Sequence, residues 1–255
     1  MLDDPLHRLR LAYAAWLFGM FCYFLPAATW SPVSRFDLTR SLVEQHSLSI
    51  DALADNTGDR ARANEHWFSD KAPFVAALAA PAYQIYHLID RSRGKAPTYE
   101  LHGPASQPAA RVTVNRSFQR GLYVCSLSTA AVSGVALGLL LFEALRRRLP
   151  PLAALSGSAI SVIATPIFPY ATSFYGHVVA GAFLTGGALL LDADGPLGVR
   201  PRFIRNAAAG ACFAASVGCE YLAAVPGLAL VLALVPWRNW SEAWRLLLAL
   251  ALGAL

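Results

Sequence analysis

Three short polar stretches carry the side chains able to do chemistry. They are Ser31-Pro32-Val33-Ser34-Arg35-Phe36-Asp37-Leu38-Thr39-Arg40, Asn56-Thr57-Gly58-Asp59-Arg60 and His66-Trp67-Phe68-Ser69-Asp70-Lys71-Ala72-Pro73. Held at a membrane face, the Asp37 carboxylate could take a proton from an acceptor hydroxyl or bind a divalent metal ion. A structural role accounts for the same residue: Ser34 could cap a helix with Asp37 in its first turn and Leu38, Leu42 and Val43 as its apolar face. Asp59 lies in a turn-like stretch and either adds a second carboxylate or pairs with Arg60 or Arg62. Lys71 could neutralise a lipid-linked phosphate, or simply snorkel toward water from an interface. His66 and Trp67 read as a sugar-stacking or an interfacial pair. Their spacing makes no specific metal site, so the identity of any metal is open.

The elements that must position these groups are apolar helices. Hydrophobic residues form 56% of the chain and charged residues 15%, against about a quarter charged in soluble domains. Mean hydropathy is +0.43. Leu11–Ser34 runs for 24 uncharged residues, Gly121–Phe142 for 22, and Leu149–Leu191 for 43 with only His177 able to titrate near neutrality. A helix crosses the hydrocarbon core with about 20 residues, so the last run reads as two spans joined by a turn. The alternation of membrane barrel strands is absent. The expected fold is therefore all-α: a polytopic membrane protein with juxtamembrane helices in a long external first loop. Arg8 and Arg10 before the first run resemble a secretory signal, but its length and the runs that follow favour a retained helix.

Basic clusters beside the apolar runs order the segments. Arg8 and Arg10 place the N-terminus in the cytoplasm, and the first helix carries the chain out at about residue 29. Gly121–Phe142 returns it, leaving Arg146–Arg148 inside. Two further spans bring Arg200, Arg202 and Arg205 inside as well. Asn206–Trp237 then forms a hairpin around Glu220, and Arg238 and Arg245 are again cytoplasmic. This order makes residues 29–120 the external loop of an inner (cytoplasmic) membrane protein. Pro73–Ile89, apolar over 17 residues, is read as a helix on the outer interface with Tyr83, Tyr86 and His87 at headgroup level; a full span is the alternative. Gly94–Pro108 reads as a connector.

Further candidates sit in the apolar half. Tyr170, Tyr175 and His177 fall at the turn between two spans and could line the same outer cavity. Glu220 is placed at the tip of its hairpin; at membrane depth it would be costly and functional by default. Cys22, Cys125, Cys212 and Cys219 lie in apolar segments and read as small core residues. The net charge of +5 collects at helix ends, the distribution of topology signals, which argues against a nucleic-acid partner.

Taken together, Arg35-Phe36-Asp37, Asn56-Thr57-Gly58-Asp59 and Ser69-Asp70-Lys71-Ala72-Pro73 resemble the first outer loop of the GT-C membrane glycosyltransferases. Within them the likeness is to the group related to protein mannosyltransferases and the lipid A aminoarabinose transferase. Thr165-Pro166-Ile167-Phe168-Pro169-Tyr170 with Gly176-His177 looks like the third-to-fourth span region of some bacterial members. Position 72 is Ala where many relatives have Pro, and 255 residues are too few for the family's eleven to thirteen spans. The resemblance therefore implies that residues 1–255 form an N-terminal membrane module. It implies transfer of a sugar from a polyprenyl-phosphate donor to an extracytoplasmic lipid, glycan or protein. Asp37, assisted by Asp59, would act on the acceptor; Lys71 and Arg35 would stabilise the departing phosphate. His66, Tyr170, His177 and Glu220 would line the cavity. The alternatives are a non-enzymatic membrane protein, either a transporter or an assembly subunit, and an inactive fragment of such an enzyme.

Overall fold

The computed structural model describes residues 4–94, 116–192, 202–235 and 237–254. In chain order its elements are α1 (Pro5–Tyr23), α2 (Trp30–Arg40), β1 (Arg60–Ala63), β2 (His66–Ser69), α3 (Phe74–Ser92), α4 (Arg116–Ser126), α5 (Val132–Arg146), α6 (Pro151–Ile163), α7 (Ile167–Ala171), α8 (His177–Leu191), α9 (Arg202–Cys219), α10 (Ala224–Leu234) and α11 (Trp240–Ala254). The chain is predominantly helical, as its apolar runs imply; the β1–β2 hairpin is the departure. Apart from Gly94, the connector read over 94–108 lies outside the described residues, as does Arg200.

A π-turn at Leu127–Ala131 joins α4 and α5 into one helix, Arg116–Arg146. Among the described residues it is the one helix long and apolar enough to cross a membrane; α6, α8 and Tyr221–Leu234 are apolar but shorter. The uncharged run Leu11–Ser34 is not one element. Helix α1 stops at Tyr23 and α2 starts at Trp30, because Pro26 cannot continue a helix. Leu149–Leu191 does divide into two helices, α6 and α8, with the short α7 between them. Asn206–Trp237 likewise breaks at Glu220, where the backbone turns extended between α9 and a short 3₁₀ turn.

The chain forms two compact units. The first comprises Met1–Phe18, Ser133–Phe168 and His177–Leu255. Within it the Tyr13 and Ser158 hydroxyls lie 2.8 Å apart, and Ser158 donates to the Gly138 carbonyl at 2.6 Å. Arg10 pairs with Glu143 at 2.6 Å. Helix α9 packs against α8 and α11. Ser216 donates to the Ala180 carbonyl of α8 at 3.0 Å, and Gly210 meets the Leu250 backbone of α11 with no room for a side chain. Arg205, read as part of a loop signal, lies inside α9 and is buried. Leu222, Val225, Leu228 and Leu232 around α10 and Trp240, Trp244, Leu248 and Leu252 on α11 are exposed.

The second unit comprises Gly19–Val132 and Pro169–Gly176. Its centre is α2, in which every residue from Pro32 to Arg40 is buried. Leu38 packs with Ile50 and Ala76, flanked by Leu42 and Trp67. Phe36 meets the edges of Tyr83 and Phe118, with centroids 5.3 and 4.9 Å away, favourable geometry for aromatic pairs. Gly121 lets α4 come this close, since a Cβ there would lie 2.7 Å from the Phe36 ring. In the hairpin Ala61 faces Phe68 and Ala63 faces His66, while Arg60 faces Ser69 and Arg62 faces Trp67. Asn64 and Glu65 close it with φ of 49° and 68°, the left-handed pair that a two-residue hairpin turn requires.

Candidate functional site

The three polar stretches converge on α2. That helix begins one turn before the sequence suggested, so Ser34 is not an N-cap. Thr29 holds that place without a side-chain cap bond, and Ser34 is interior. Its hydroxyl donates to the Asp59 carbonyl at 2.6 Å and lies 2.7 Å from the Ser69 hydroxyl. Thr57 donates to the Trp30 carbonyl at 2.9 Å and its oxygen accepts from the Asp59 amide at 3.1 Å. Four hydroxyl-bearing or turn-forming residues thus pin residues 57–69 to the first half of α2.

This anchoring sets the charged groups. Lys71 Nζ lies 2.9 Å from Asp59 and 3.2 Å from Asp70. Burial opposes the Lys71 charge, but hydrogen bonds to Asp59 and Asp70 outweigh it and raise the pKa. Asp59 therefore does not pair with Arg60 or Arg62; Arg60 reaches Asp55 at 3.0 Å and Arg62 reaches Glu65 at 3.1 Å. Asp37, one turn after Ser34, has no exposed surface. Its Oδ1 accepts from Asn56 at 3.2 Å, and its Oδ2 has no hydrogen-bond partner among the described residues. Burial pushes the Asp37 carboxyl well above the usual range, while the Asn56 bond and the Arg40 charge pull the other way. Such a perturbed buried acid marks a candidate functional group. Arg35 is also buried and donates to Ser31 at 2.6 Å; two residues from Asp37, it leaves α2 on nearly the opposite side.

A second buried network escaped the sequence reading. Glu44 takes the Arg40 guanidinium on both oxygens, at 3.0 and 3.4 Å. Tyr83 donates to it at 2.6 Å, and His87 Nδ1 lies 3.9 Å away. Tyr83, expected at headgroup level, is instead buried at the foot of this network. The signal that could have found it is a pair of i,i+4 spacings, Arg40–Glu44 and Tyr83–His87.

The remaining candidates disperse. His66 and Trp67 are not a stacking pair: they leave β2 on opposite faces, and Arg60 covers the Trp67 ring at 4.4 Å. Tyr170 and Tyr175 pack edge to face, centroids 5.2 Å apart, and the Tyr175 hydroxyl lies 3.1 Å from Thr29 Oγ1. His177 and Glu220 belong to the other unit, where His177 Nδ1 is 3.3 Å from Glu220 Oε1. Cys125 and Cys219 are buried, and Cys22 and Cys212 are half-buried.

Among the described residues no three His, Cys, Asp or Glu side chains are placed to hold a metal ion. Asp59 and Asp70 close on Lys71 instead of on a shared cation position, so the donor set does not fit a divalent metal. Comparison with known proteins found no matching family model, no curated relative and no solved structure of similar fold.

Proposed function

We propose that this chain is a module of a polytopic inner-membrane glycosyltransferase, transferring a sugar from a polyprenyl-phosphate donor to an extracytoplasmic lipid, glycan or protein. One observation carries the reading: Asp37, Asn56, Asp59, Ser69 and Lys71, scattered over 35 positions of the sequence, gather around α2 directly after the first helix. The outward Leu and Trp side chains of α10 and α11 fit lipid contact.

In the proposed reaction the acceptor oxygen forms a bond to the sugar's anomeric carbon, and the bond from that carbon to the phosphate oxygen breaks. The phosphate leaves with the electron pair, and the acceptor proton goes to Asp37. Burial raises the proton affinity of Asp37, which suits a group that takes a proton. Asn56 covers Asp37, so the Asp51–Asn56 turn must swing aside for an acceptor to reach it. Lys71, kept protonated between two carboxylates, hands one of these contacts to the leaving phosphate. Arg35 adds positive charge behind α2.

The test is transfer from a labelled polyprenyl-phosphate sugar by the protein reconstituted in lipid vesicles. Asp37→Asn is expected to lower turnover by about 100-fold or more with donor binding intact. Its thermal stability at neutral pH should not fall. The folded state holds the Asp37 proton more tightly than the unfolded chain. Any stability this gives is therefore present below the ordinary aspartate range and lost as pH rises through the raised pKa. An amide at position 37 removes that loss, so the variant's Tm should vary less with pH. Undiminished turnover in Asp37→Asn would remove it from catalysis. Absence of transfer from every donor, with the fold intact, would favour a non-enzymatic membrane protein.

A further inference from the structure

Away from Asp37 and Lys71, the outer face of the hairpin borders a groove of about 440 Å³ lined by Gln45, Ser47, Leu48, Asp51, His66 and Phe68. That volume lies within the range of small-ligand sites, about 300–1,000 Å³. His66 and Phe68 share one strand face and stand opposite the small residues Ala63 and Ala61. Asp51 fixes the imidazole, with Oδ2 2.7 Å from His66 Nδ1 and Oδ1 accepting the Trp67 amide at 2.6 Å. Hydrogen bonds from Ser49, the Trp67 amide and His66 hold the Asp51 pKa down at about 2, so it is a carboxylate throughout the neutral range. That carboxylate accepts the hydrogen bond from Nδ1, which leaves Nε2 as the second polar atom of the ring.

We propose that this groove binds a neutral sugar ring, with His66 Nε2 hydrogen-bonded to one ring hydroxyl and the Gln45 amide donating to another, while Leu48 and Phe68 take an apolar ring face. The lining excludes the competing ligand classes. A cation would find a single carboxylate, both of whose oxygens already accept hydrogen bonds. An anion would need a lysine or arginine, and none lines the groove. A wholly apolar ligand would desolvate the imidazole and the amide without replacing their hydrogen bonds. That the bound sugar belongs to the acceptor rests on the transferase reading; the binding itself does not.

The test uses the full chain in lipid nanodiscs, titrated with methyl β-D-glucopyranoside, methyl β-D-galactopyranoside and N-acetylglucosamine. The ring signals of His66 are followed by NMR, assigned by their loss in His66→Gln. A saturable shift in the millimolar range is expected with at least one sugar. Loss of one hydrogen bond in Gln45→Ala, read on the His66 signals, or in His66→Ala, read by saturation transfer to the sugar, should weaken binding by about tenfold, while Arg148→Ala in the other unit leaves it unchanged. No saturable shift with any of the sugars, or binding unaltered in both variants, overturns the proposal. So does a saturable shift produced by inorganic phosphate or calcium chloride and not by the sugars. Sugar binding without transfer activity would sink only the transferase reading; transfer without sugar binding at His66 would sink only this one.

Discussion

Glu44→Ala is expected to cost about 3–5 kcal/mol of stability, the range for breaking a buried ion pair by removing one partner. The Arg40 and Glu44 side chains are 3% and 4% exposed, so water cannot replace the lost carboxylate. The variant leaves the guanidinium without its bidentate partner and the Tyr83 hydroxyl without its acceptor. Burying two charges carries a desolvation penalty that apolar side chains of similar volume avoid. The double variant Arg40→Met, Glu44→Leu is therefore expected to recover most of the loss. Thermal unfolding of the single and double variants in one detergent separates the two effects. If Glu44→Ala unfolds at the wild-type temperature, the pair contributes nothing to stability.

Gly210→Val is expected to disrupt the first unit outright. A Cβ at position 210 would land on the Leu250 carbonyl, and one at Gly253 would land on the Ala207 carbonyl. The two helices meet backbone to backbone at reciprocal small residues, the arrangement that lets apolar helices associate without a hydrophobic driving force between them. Overpacking against a movable side chain costs about 1–3 kcal/mol; here the obstacle is main chain, so α9 and α11 must separate. Gly19 supplies the control. It lies within α1 with nothing within 4 Å of its Cβ position, so Gly19→Ala should be neutral or stabilising by up to about 1 kcal/mol. Limited proteolysis of α11 together with the melting temperature reads both variants. Equal behaviour of the two would show that the α9–α11 contact does not hold this unit together.

The sequence displays the helical class because long uncharged runs leave the backbone few other solutions. It also displays Asp37, Asp59 and Lys71 as candidates, since they fall in the polar insert between long apolar runs. What it hides is the phase of α2. Reading the helix from Ser34 made that serine a cap, whereas starting at Trp30 turns its hydroxyl to Asp59 and Ser69 and carries Asp37 out of solvent. Glu44 was hidden for a related reason: in Ser41-Leu42-Val43-Glu44-Gln45 it reads as a surface residue, and only the arrival of Tyr83 from 39 positions away makes it internal. The hairpin was legible locally, in the alternation of Arg60-Ala61-Arg62-Ala63. Two four-residue strands are far shorter than the strands of a membrane barrel.

The π-turn at Leu127–Ala131 has a consequence for how the long helix tolerates length changes. A π-turn is one residue more than an α-helix needs, inserted without breaking the element. Removing a single residue from 127–131 should return that stretch to α geometry and leave the faces on either side in their present orientation. Removing one anywhere else in Arg116–Arg146 turns one half by about 100° against the other and drives buried residues such as Phe118 and Phe142 outward. Single-residue deletions scanned along the helix, scored by melting temperature, should show one tolerant window of five positions. On that view the stretch records a length change that the helix absorbed locally.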